Sequence, residues 1–324
     1  MYEIKTIIGD AITKLIENLY ADGKTETEIE QILKSDVFIQ NSVNALFKMT
    51  TITVNQLQNN MPDEMKYINT INNDFYNRNV GKWGEAFDYF ETLYFILIES
   101  AEMYQEHITN EIIRDRKYLY EVLRALHAKG LQIYDEILCL MKNGFADGAY
   151  ARWRSIYELE VVARFIAMHG EKVAESYFNY VIDDNHYAWA SDCFKSLSEK
   201  GVRINFVNLE EKCKFYKNNW EKNYGLASKI IHPSSSGVFG RLSNQKDSYK
   251  DLLVVGRSDY GIHIPAIDSI QQIILLSSHY FTLFSELNID ASFYLSLVTK
   301  WGDIAIKKIC DKHKDIFKEE IILG

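Results

Sequence analysis

The chain has 324 residues, of which 47% are hydrophobic and 25% are charged. These values are typical of globular proteins and exclude a chain dominated by disorder. The formal net charge is -9 at pH 7, which excludes a broad basic surface for long DNA, although a local basic pocket could still bind RNA. The four cysteines form no CxxC pair, so neither a zinc site nor a disulfide framework is expected.

The N-terminal residues follow a helical pattern. "MYEIKTIIGDAITKLIENLYADG" carries charges every few residues, unlike a signal peptide, and predicts a helix over residues 2–21 that ends near Gly23. The stretch "TETEIEQIL" then indicates a helix start capped by Thr25 or Thr27. Residues 36–58 are predicted to be helical, although "TTITV" is rich in β-branched residues that favour strands.

The stretch "NRNVGKWGEAF" marks a candidate domain boundary. Asn79 and Gly81 interrupt the helical pattern there, before a long apolar-periodic helix begins. We therefore expect an N-terminal helical cap over residues 1–78 and a main helical domain over residues 79–324.

Two long helices are predicted in the middle of the chain. The first covers about 111–143 and is closed by Gly144 as a C-cap. Gly130 lies inside it and lowers helix stability by roughly 1 kcal/mol relative to Ala. Close helix packing or a kink would account for that glycine. The second helix runs from Asp147 to Met168 and ends at Gly170.

The C-terminal half adds further helices and one long irregular loop. The loop covers about 233–265, and long loops in compact proteins are more often functional than filler. The least charged run, Ile262 to Phe284, contains Asp268 and two glutamines, so it indicates a buried helix and no membrane segment. Helices are predicted over residues 171–199, 206–221, 224–232, 266–287 and 290–318. The sequence thus predicts a soluble, cytoplasmic, all-α multi-helix bundle.

The helix that begins at Asp147 carries the most informative charges. Asp147, Arg154 and Glu158 are spaced by seven residues (two turns) and by four (one turn), so they share one face. If that face is buried, each charge must pair or contact a polar ligand, because an unpaired buried charge costs several kcal/mol. Structural ion pairs and a catalytic or binding site both satisfy this requirement.

Three further charges on this helix are interpreted differently. Arg152 lies one position away from the shared face and is kept as a candidate substrate-binding residue. Glu160 and Arg164 form an i,i+4 pair that we expect on the surface, where a solvated pair stabilises a helix by about 0.3 to 0.5 kcal/mol.

A second candidate region is "YGLASKIIHPSSSGVFGR". Ser228 and His232 lie four residues apart, on one face of a short helix that Pro233 terminates. At a helix C-terminus His232 could donate a proton or contact phosphate, or act only as a cap. Ser234 and Ser235 could contribute hydroxyls to an anion, or form only a turn.

Known signature motifs do not identify an activity. P-loop, GxGxxG, HExxH and GxSxG patterns are absent, so no cofactor and no metal ion are expected. The Arg-to-His spacing of helical RNases of the HEPN type occurs in "RFIAMH" and "RSDYGIH". About one such match is expected by chance in a chain with this Arg and His content, so the motif alone is weak evidence.

Three stretches resemble a large bacterial family described as domain of unknown function 5677: "LHAKGLQIYDEILCLMKNGFADGAYARWRSIYELEVVARFI", "NYGLASKIIHPSSSGVFGRL" and "VVGRSDYGIHIPA". The resemblance covers roughly Lys82 to Leu287. It implies an all-helical bacterial cytoplasmic protein without an assigned activity, and some members are similar to genes of phage defence and mobile elements. The chain departs from the family at Tyr157, where His is expected, and at Lys129, where Arg is expected. The family pattern falls on His127, Asp147, Arg152, Arg154, Glu158, Ser228 and His232.

Two functional hypotheses follow. The first is a phage-defence or toxin-type effector with HEPN-like, metal-independent ribonuclease activity. Its catalytic residues would be Arg154, Glu158 and His232, with RNA in a local pocket and a homodimer or a partner protein from the same operon. Glu158 or His232 would serve as general base or acid, and Arg154 would stabilise the phosphorane. The substrate-binding residues of this hypothesis are Asp147, Arg152, Ser228, Ser234 and Ser235. The alternative is a noncatalytic helical interaction or sensor module whose buried charges only fix the helix register.

Overall fold

The computed structural model describes residues 7–180, 186–213, 220–232, 235, 242, 256–284, 289–319 and 321. These residues form helices, turns and irregular segments and no strand, which confirms the all-α prediction. The helices are α1 (Ile7–Ala21), α2 (Glu26–Leu33), α3 (Asp36–Glu106), α4 (Asn110–Ile113), α5 (Lys117–Lys142), α6 (Ala146–His169), α7 (Glu171–Phe178), a 3-10 helix (Ala188–Phe194), α8 (Lys195–Ser198), α9 (Phe206–Lys212), α10 (Trp220–Ile231), α11 (His263–Phe281) and α12 (Ile289–Phe317).

The chain divides into two compact units, Met1–Asp74 and Phe75–Gly324. This division falls inside α3, and the boundary after residue 78 stays a prediction. The expected interruption of the helix at Asn79 and Gly81 is wrong, because α3 continues through both residues. Asn79 is instead a buried side chain whose amide donates hydrogen bonds of 2.9 Å to the carbonyls of Met141 and Lys142 at the end of α5. A residue type that often breaks helices serves here to cap the end of a neighbouring helix.

In the N-terminal unit, α2 begins with a capping box. Thr25 is the N-cap: its hydroxyl accepts from the Glu28 N–H, and the Glu28 carboxylate accepts from the Thr25 N–H. The "TTITV" stretch lies within α3, as predicted, and Pro62 also lies inside that helix. Among the described side chains of this unit, Ile29 is the only buried one.

The C-terminal unit is built around α6. This helix packs against α5 and α11, and α7, α9 and α10 also contact it. Its buried face includes Trp153 and Phe165, neither of which is exposed to solvent. Gly130 lies where α5 and α11 pack closely, because a Cβ atom there would lie 2.3 Å from Cδ2 of Leu276. The prediction that close packing accounts for this glycine is confirmed.

Several predicted elements differ in extent from the observed ones. The helix predicted over 111–143 is divided into α4 and α5 by residues 114–116. The helix predicted over 171–199 ends at Phe178, and a 3-10 helix follows from Ala188. The long loop predicted over 233–265 lies mostly outside the described residues, and its last three residues belong to α11, which begins at His263. Pro265 does not delay this helix, since the first-turn N–H groups of a helix have no intrahelical acceptor to lose. No helix among the described residues is both long and apolar enough to cross a bilayer.

Candidate functional site

The start of α6 is fixed by a glycine turn. Gly144 has φ +77°, and its N–H and that of Phe145 donate to the carbonyls of Met141 and Leu140 at 3.0 and 2.9 Å. These two bonds form a Schellman motif that ends α5, as predicted for Gly144. A Cβ at Gly144 would lie 2.5 Å from ring atoms of Phe75. The structure therefore leaves no space for a side chain at the residue where the chain turns into α6.

Arg154 and Glu158 form the centre of the candidate site. The Arg154 Nε donates to Glu158 Oε1 at 2.9 Å, and the Tyr224 hydroxyl donates to the same oxygen at 2.7 Å. The Arg154 guanidinium also lies over the Tyr224 ring, 4.8 Å from its centroid, in a cation–π contact. The Arg154 and Glu158 side chains are 25% and 37% exposed, so solvent and solutes can reach the pair.

Electrostatics keep this group in defined protonation states. Burial acts to lower the pKa of Arg154, but the Glu158 carboxylate and the Tyr224 hydroxyl outweigh it and raise that pKa. Burial and the hydrogen bond to Glu158 raise the pKa of Tyr224. At neutral pH Arg154 is therefore a guanidinium cation and the Tyr224 hydroxyl keeps its proton.

Aromatic side chains surround the pair. The Tyr224 ring lies 5.2 Å from that of Tyr157 and 5.3 Å from that of Phe206, centroid to centroid. The Tyr157 hydroxyl donates to Glu210 of α9. Burial raises the pKa of Tyr187, and the nearby Glu158 carboxylate raises it further. The candidate site is thus an arginine–carboxylate pair within a group of tyrosines.

The other two predicted residues of α6 have separate partners. The Asp147 carboxylate accepts from the N–H of Leu242 at 2.8 Å, in the segment that follows α10. Arg152 pairs with Glu136 of α5 at 2.5 Å. Asp147 does share a helix face with Arg154 and Glu158, but it accepts a hydrogen bond from Leu242, in a different part of the chain.

The structure places His232 at the exposed end of α10, where its N–H donates to the Ser228 carbonyl at 3.1 Å. His232 follows Tyr224 by eight residues, about 12 Å of helix. Within the described part of the chain, no hydrogen bond or ion pair joins His232 to Arg154 or Glu158. Ser235 is exposed, and Ser234 lies outside the described residues. A joint site that includes these residues stays a prediction.

Glu160 lies elsewhere than predicted. It was expected on the surface with Arg164, but its side chain is completely buried. Arg164 donates to Glu160 Oε1 at 2.6 and 2.8 Å, His279 Nε2 lies 3.0 Å from the same oxygen, and Gln272 donates to Oε2 at 3.2 Å. The signal was present, because Glu160 follows Trp153 and Ile156 at spacings of seven and four, on the apolar stripe of α6.

A buried carboxyl, Asp268 of α11, lies beneath the junction of α6 and α10. Its Oδ2 accepts from the Tyr150 hydroxyl at 2.9 Å and from the Asn223 amide at 3.1 Å. Burial raises the pKa of Asp268 to about 6, although both hydrogen bonds act to lower it. Among the described residues, no group of three His, Cys, Asp or Glu side chains is placed to hold a metal ion.

Asp268→Asn is expected to stabilise the protein at pH 8 and to change little at pH 4. A raised carboxyl pKa means that the native state holds the proton more tightly than the unfolded chain, so stability falls as pH rises from about 4 to about 6. Asn removes that cost, which is on the order of 3 kcal/mol above pH 6. Urea unfolding at both pH values measures it. An equal effect at the two values would show that ionisation of Asp268 does not matter.

Comparison with known proteins adds one finding. No curated protein and no solved structure matches the chain. A family model does match, over a segment that contains most of α5, all of α6 and all of α7. The matched segment is shorter than the region of resemblance seen in the sequence and does not include α10. Residues 120–188 match the model of a family of unknown function, DUF5677, as the resemblance of this segment predicted.

Proposed function

We propose that the protein is a cytoplasmic effector of the phage-defence or toxin type that cleaves RNA without a metal ion. One observation carries the proposal: the partly exposed Arg154–Glu158 pair, joined at 2.9 Å and covered by Tyr224. An exposed i,i+4 pair stabilises a helix by only about 0.3 to 0.5 kcal/mol. Stability alone therefore gives little reason to hold these groups together among tyrosines.

The pair offers the groups that RNA cleavage requires. Glu158 Oε1 accepts from Arg154 and Tyr224, whereas Oε2 accepts no hydrogen bond from a residue that the structure describes. Oε2 is thus the atom that takes the proton from a ribose 2′-hydroxyl as its oxygen attacks phosphorus. Arg154 then stabilises the added charge of the phosphorane. The P–O5′ bond breaks, and the leaving 5′-oxygen takes a proton from His232 or from water.

The surroundings favour single-stranded RNA as the substrate class. Unstacked bases bind by stacking on aromatic rings, and the Tyr224 ring lies against Arg154, with the rings of Tyr157 and Phe206 next to it. The net charge of -9 gives no long-range attraction to a duplex, so binding depends on this local site.

An RNA-cleavage assay with Arg154→Ala tests the proposal. Wild-type protein in EDTA is expected to cut single-stranded RNA and leave 2′,3′-cyclic phosphate and 5′-hydroxyl ends. Arg154→Ala should lower the rate by about 100-fold to 1,000-fold, as loss of one charge-stabilising donor does. Arg203→Ala removes an exposed arginine outside the site and should leave the rate unchanged. Intact RNA with wild-type protein, or a wild-type rate in Arg154→Ala, contradicts the proposal.

The noncatalytic alternative also has an observation in its favour. Charges along α6 are paired within the chain: Arg152 with Glu136, Arg154 with Glu158, and Arg164 with Glu160. If all of these pairs only fix the register of α6, Arg154→Ala will lower the melting temperature and wild-type protein will have no nuclease activity. Measuring both quantities on the same preparations separates the two functions.

A further inference from the structure

The N-terminal half of α3 carries a continuous apolar stripe that nothing in the described structure covers. Residues 43, 47, 50, 54, 57, 61, 64, 68 and 71 are spaced alternately by four and three, which is the heptad pattern of a coiled coil. All but Thr50 and Glu64 are apolar. Those seven side chains are 41–66% exposed: Val43, Phe47, Val54, Leu57, Met61, Ile68 and Ile71.

The stripe is too long and too exposed for an isolated chain. It runs along about 43 Å of helix, and a continuous apolar surface of this length on a soluble monomer usually marks a binding site. Among the described side chains of the unit that contains it, Met1–Asp74, only Ile29 is buried, so no core formed by the described residues explains the stripe. We propose that a second copy of this chain packs along the stripe, so that two α3 helices form an antiparallel coiled coil.

Charge is the first reason to choose a second copy as the partner. In the heptad assigned by this stripe, the positions that flank the contact line are uncharged on both sides throughout residues 43–71. Two identical chains therefore bring no like charges together there, where such charges normally decide which coiled-coil partners are accepted. The flanking residues are Asn44, Leu46, Thr51, Thr53, Gln58, Asn60, Met65 and Tyr67.

Glu64 sets the orientation. In a parallel pair each Glu64 would face its copy in the contact line, and two carboxylates there repel. In the antiparallel register, Glu64 lies opposite Val54 of the second copy, and the two carboxylates are about 15 Å apart along the axis. The same register places Leu57 opposite Met61, Phe47 opposite Ile71 and Thr50 opposite Ile68. Each of these three layers contains at least one apolar side chain.

Two observations could argue against a coiled-coil dimer. Pro62 lies within the helix, and a membrane surface is the alternative partner for an exposed apolar stripe. Pro62 removes one backbone hydrogen bond from α3, but it follows Met61 directly and so lies outside the contact line. A helix that lies on a membrane is normally rich in Lys and Arg on its polar face. Residues 43–71 contain only Lys48 and Lys66, balanced by Asp63 and Glu64. A protein partner therefore fits this helix better than a lipid surface.

Sedimentation of the full chain tests the dimer. Wild-type protein is expected to be a dimer at about 10 µM, and Leu57→Glu should raise the dissociation constant by about 100-fold or more, because it removes an apolar side chain from the centre of the contact line and buries an unpaired carboxylate there in addition to that of Glu64. Asn59→Glu adds the same charge on the opposite side of α3 and should leave the dimer intact. Wild-type protein that stays monomeric at about 100 µM overturns the proposal. So does a monomer that binds anionic phospholipid vesicles, or a Leu57→Glu dimer as tight as wild type.

Cysteine cross-linking tests the orientation. A mixture of Val54→Cys and Glu64→Cys chains should give a cross-linked dimer on oxidation that neither variant gives alone, with wild-type protein as the control for the four native cysteines. Cross-linking of Glu64→Cys with itself would overturn the antiparallel register. The unfolding transition of the C-terminal unit should be the same in all variants, since that unit has its own core.

Discussion

Glu160→Ala is expected to lower the free energy of unfolding by about 3 to 5 kcal/mol, because it removes one partner of a buried ion pair. The Glu160 carboxylate accepts from Arg164, Gln272 and His279, so its loss leaves three polar side chains facing an apolar cavity. For a unit of this size the melting temperature should fall by roughly 10 °C. Thermal unfolding followed by circular dichroism measures the change.

Two controls show whether the charge or the shape of Glu160 is responsible. Glu160→Gln keeps the shape and one acceptor oxygen but removes the charge opposite Arg164, so its loss should be intermediate. Glu158→Ala removes a carboxylate that is 37% exposed, on the same helix and paired at the same i,i+4 spacing, and should cost less than about 1 kcal/mol. Equal losses for Glu160→Ala and Glu158→Ala would show that burial of Glu160 contributes nothing.

Glu158 and Glu160 show which features of the site could be predicted from the sequence. An i,i+4 Glu–Arg pair is most often solvated, and that general rule led to the wrong placement of Glu160 and Arg164. The apolar stripe of α6 contained the better signal, since spacings of three and four from Trp153 and Ile156 lead to Glu160. The periodicity of neighbouring apolar residues, and not the spacing of the charges, decided which carboxylate is buried.

Contacts between distant parts of the chain were beyond the sequence. Tyr224 lies 66 residues from Glu158, and His279 lies 119 residues from Glu160. Helical periodicity gives the face of a single helix, but it does not give the angle at which a second helix crosses it. The all-α fold, the C-cap at Gly144 and the Arg154–Glu158 face could therefore be predicted, whereas the tyrosines around that pair could not.

The helix break at Asn79 was wrongly predicted for a related reason. Asn and Gly close together favour a turn when only local sequence is considered. In the structure the Asn79 amide donates to two carbonyls at the end of α5, and this tertiary contact holds Asn79 within a continuous helix. Hydrogen bonds to residues more than 60 positions away outweighed the local propensity of Asn79. A local sequence pattern does not indicate such contacts.

Gly144→Ala is expected to lower the free energy of unfolding by about 2 to 4 kcal/mol. Part of the loss comes from the left-handed backbone, since φ +77° costs a residue with a Cβ roughly 1 to 2 kcal/mol. The rest comes from overpacking, since the new atom would lie 2.5 Å from the Phe75 ring and 2.9 Å from the Ser258 carbonyl oxygen. Urea unfolding gives the total.

Two other glycines separate these causes. Gly201 has φ +66° and ends α8 with the same pair of backbone hydrogen bonds as Gly144, but it has nothing within 4 Å of a Cβ, so Gly201→Ala should show the backbone cost alone. Gly84 lies inside α3 with open space around it, and Gly84→Ala should stabilise the helix by about 0.5 to 1 kcal/mol. If Gly144→Ala costs no more than Gly201→Ala, then Phe75 can move aside and the turn before α6 is set by backbone geometry alone. A larger loss at Gly144 would instead show that close contact with Phe75 and Ser258 fixes where α6, and with it Arg154 and Glu158, begins.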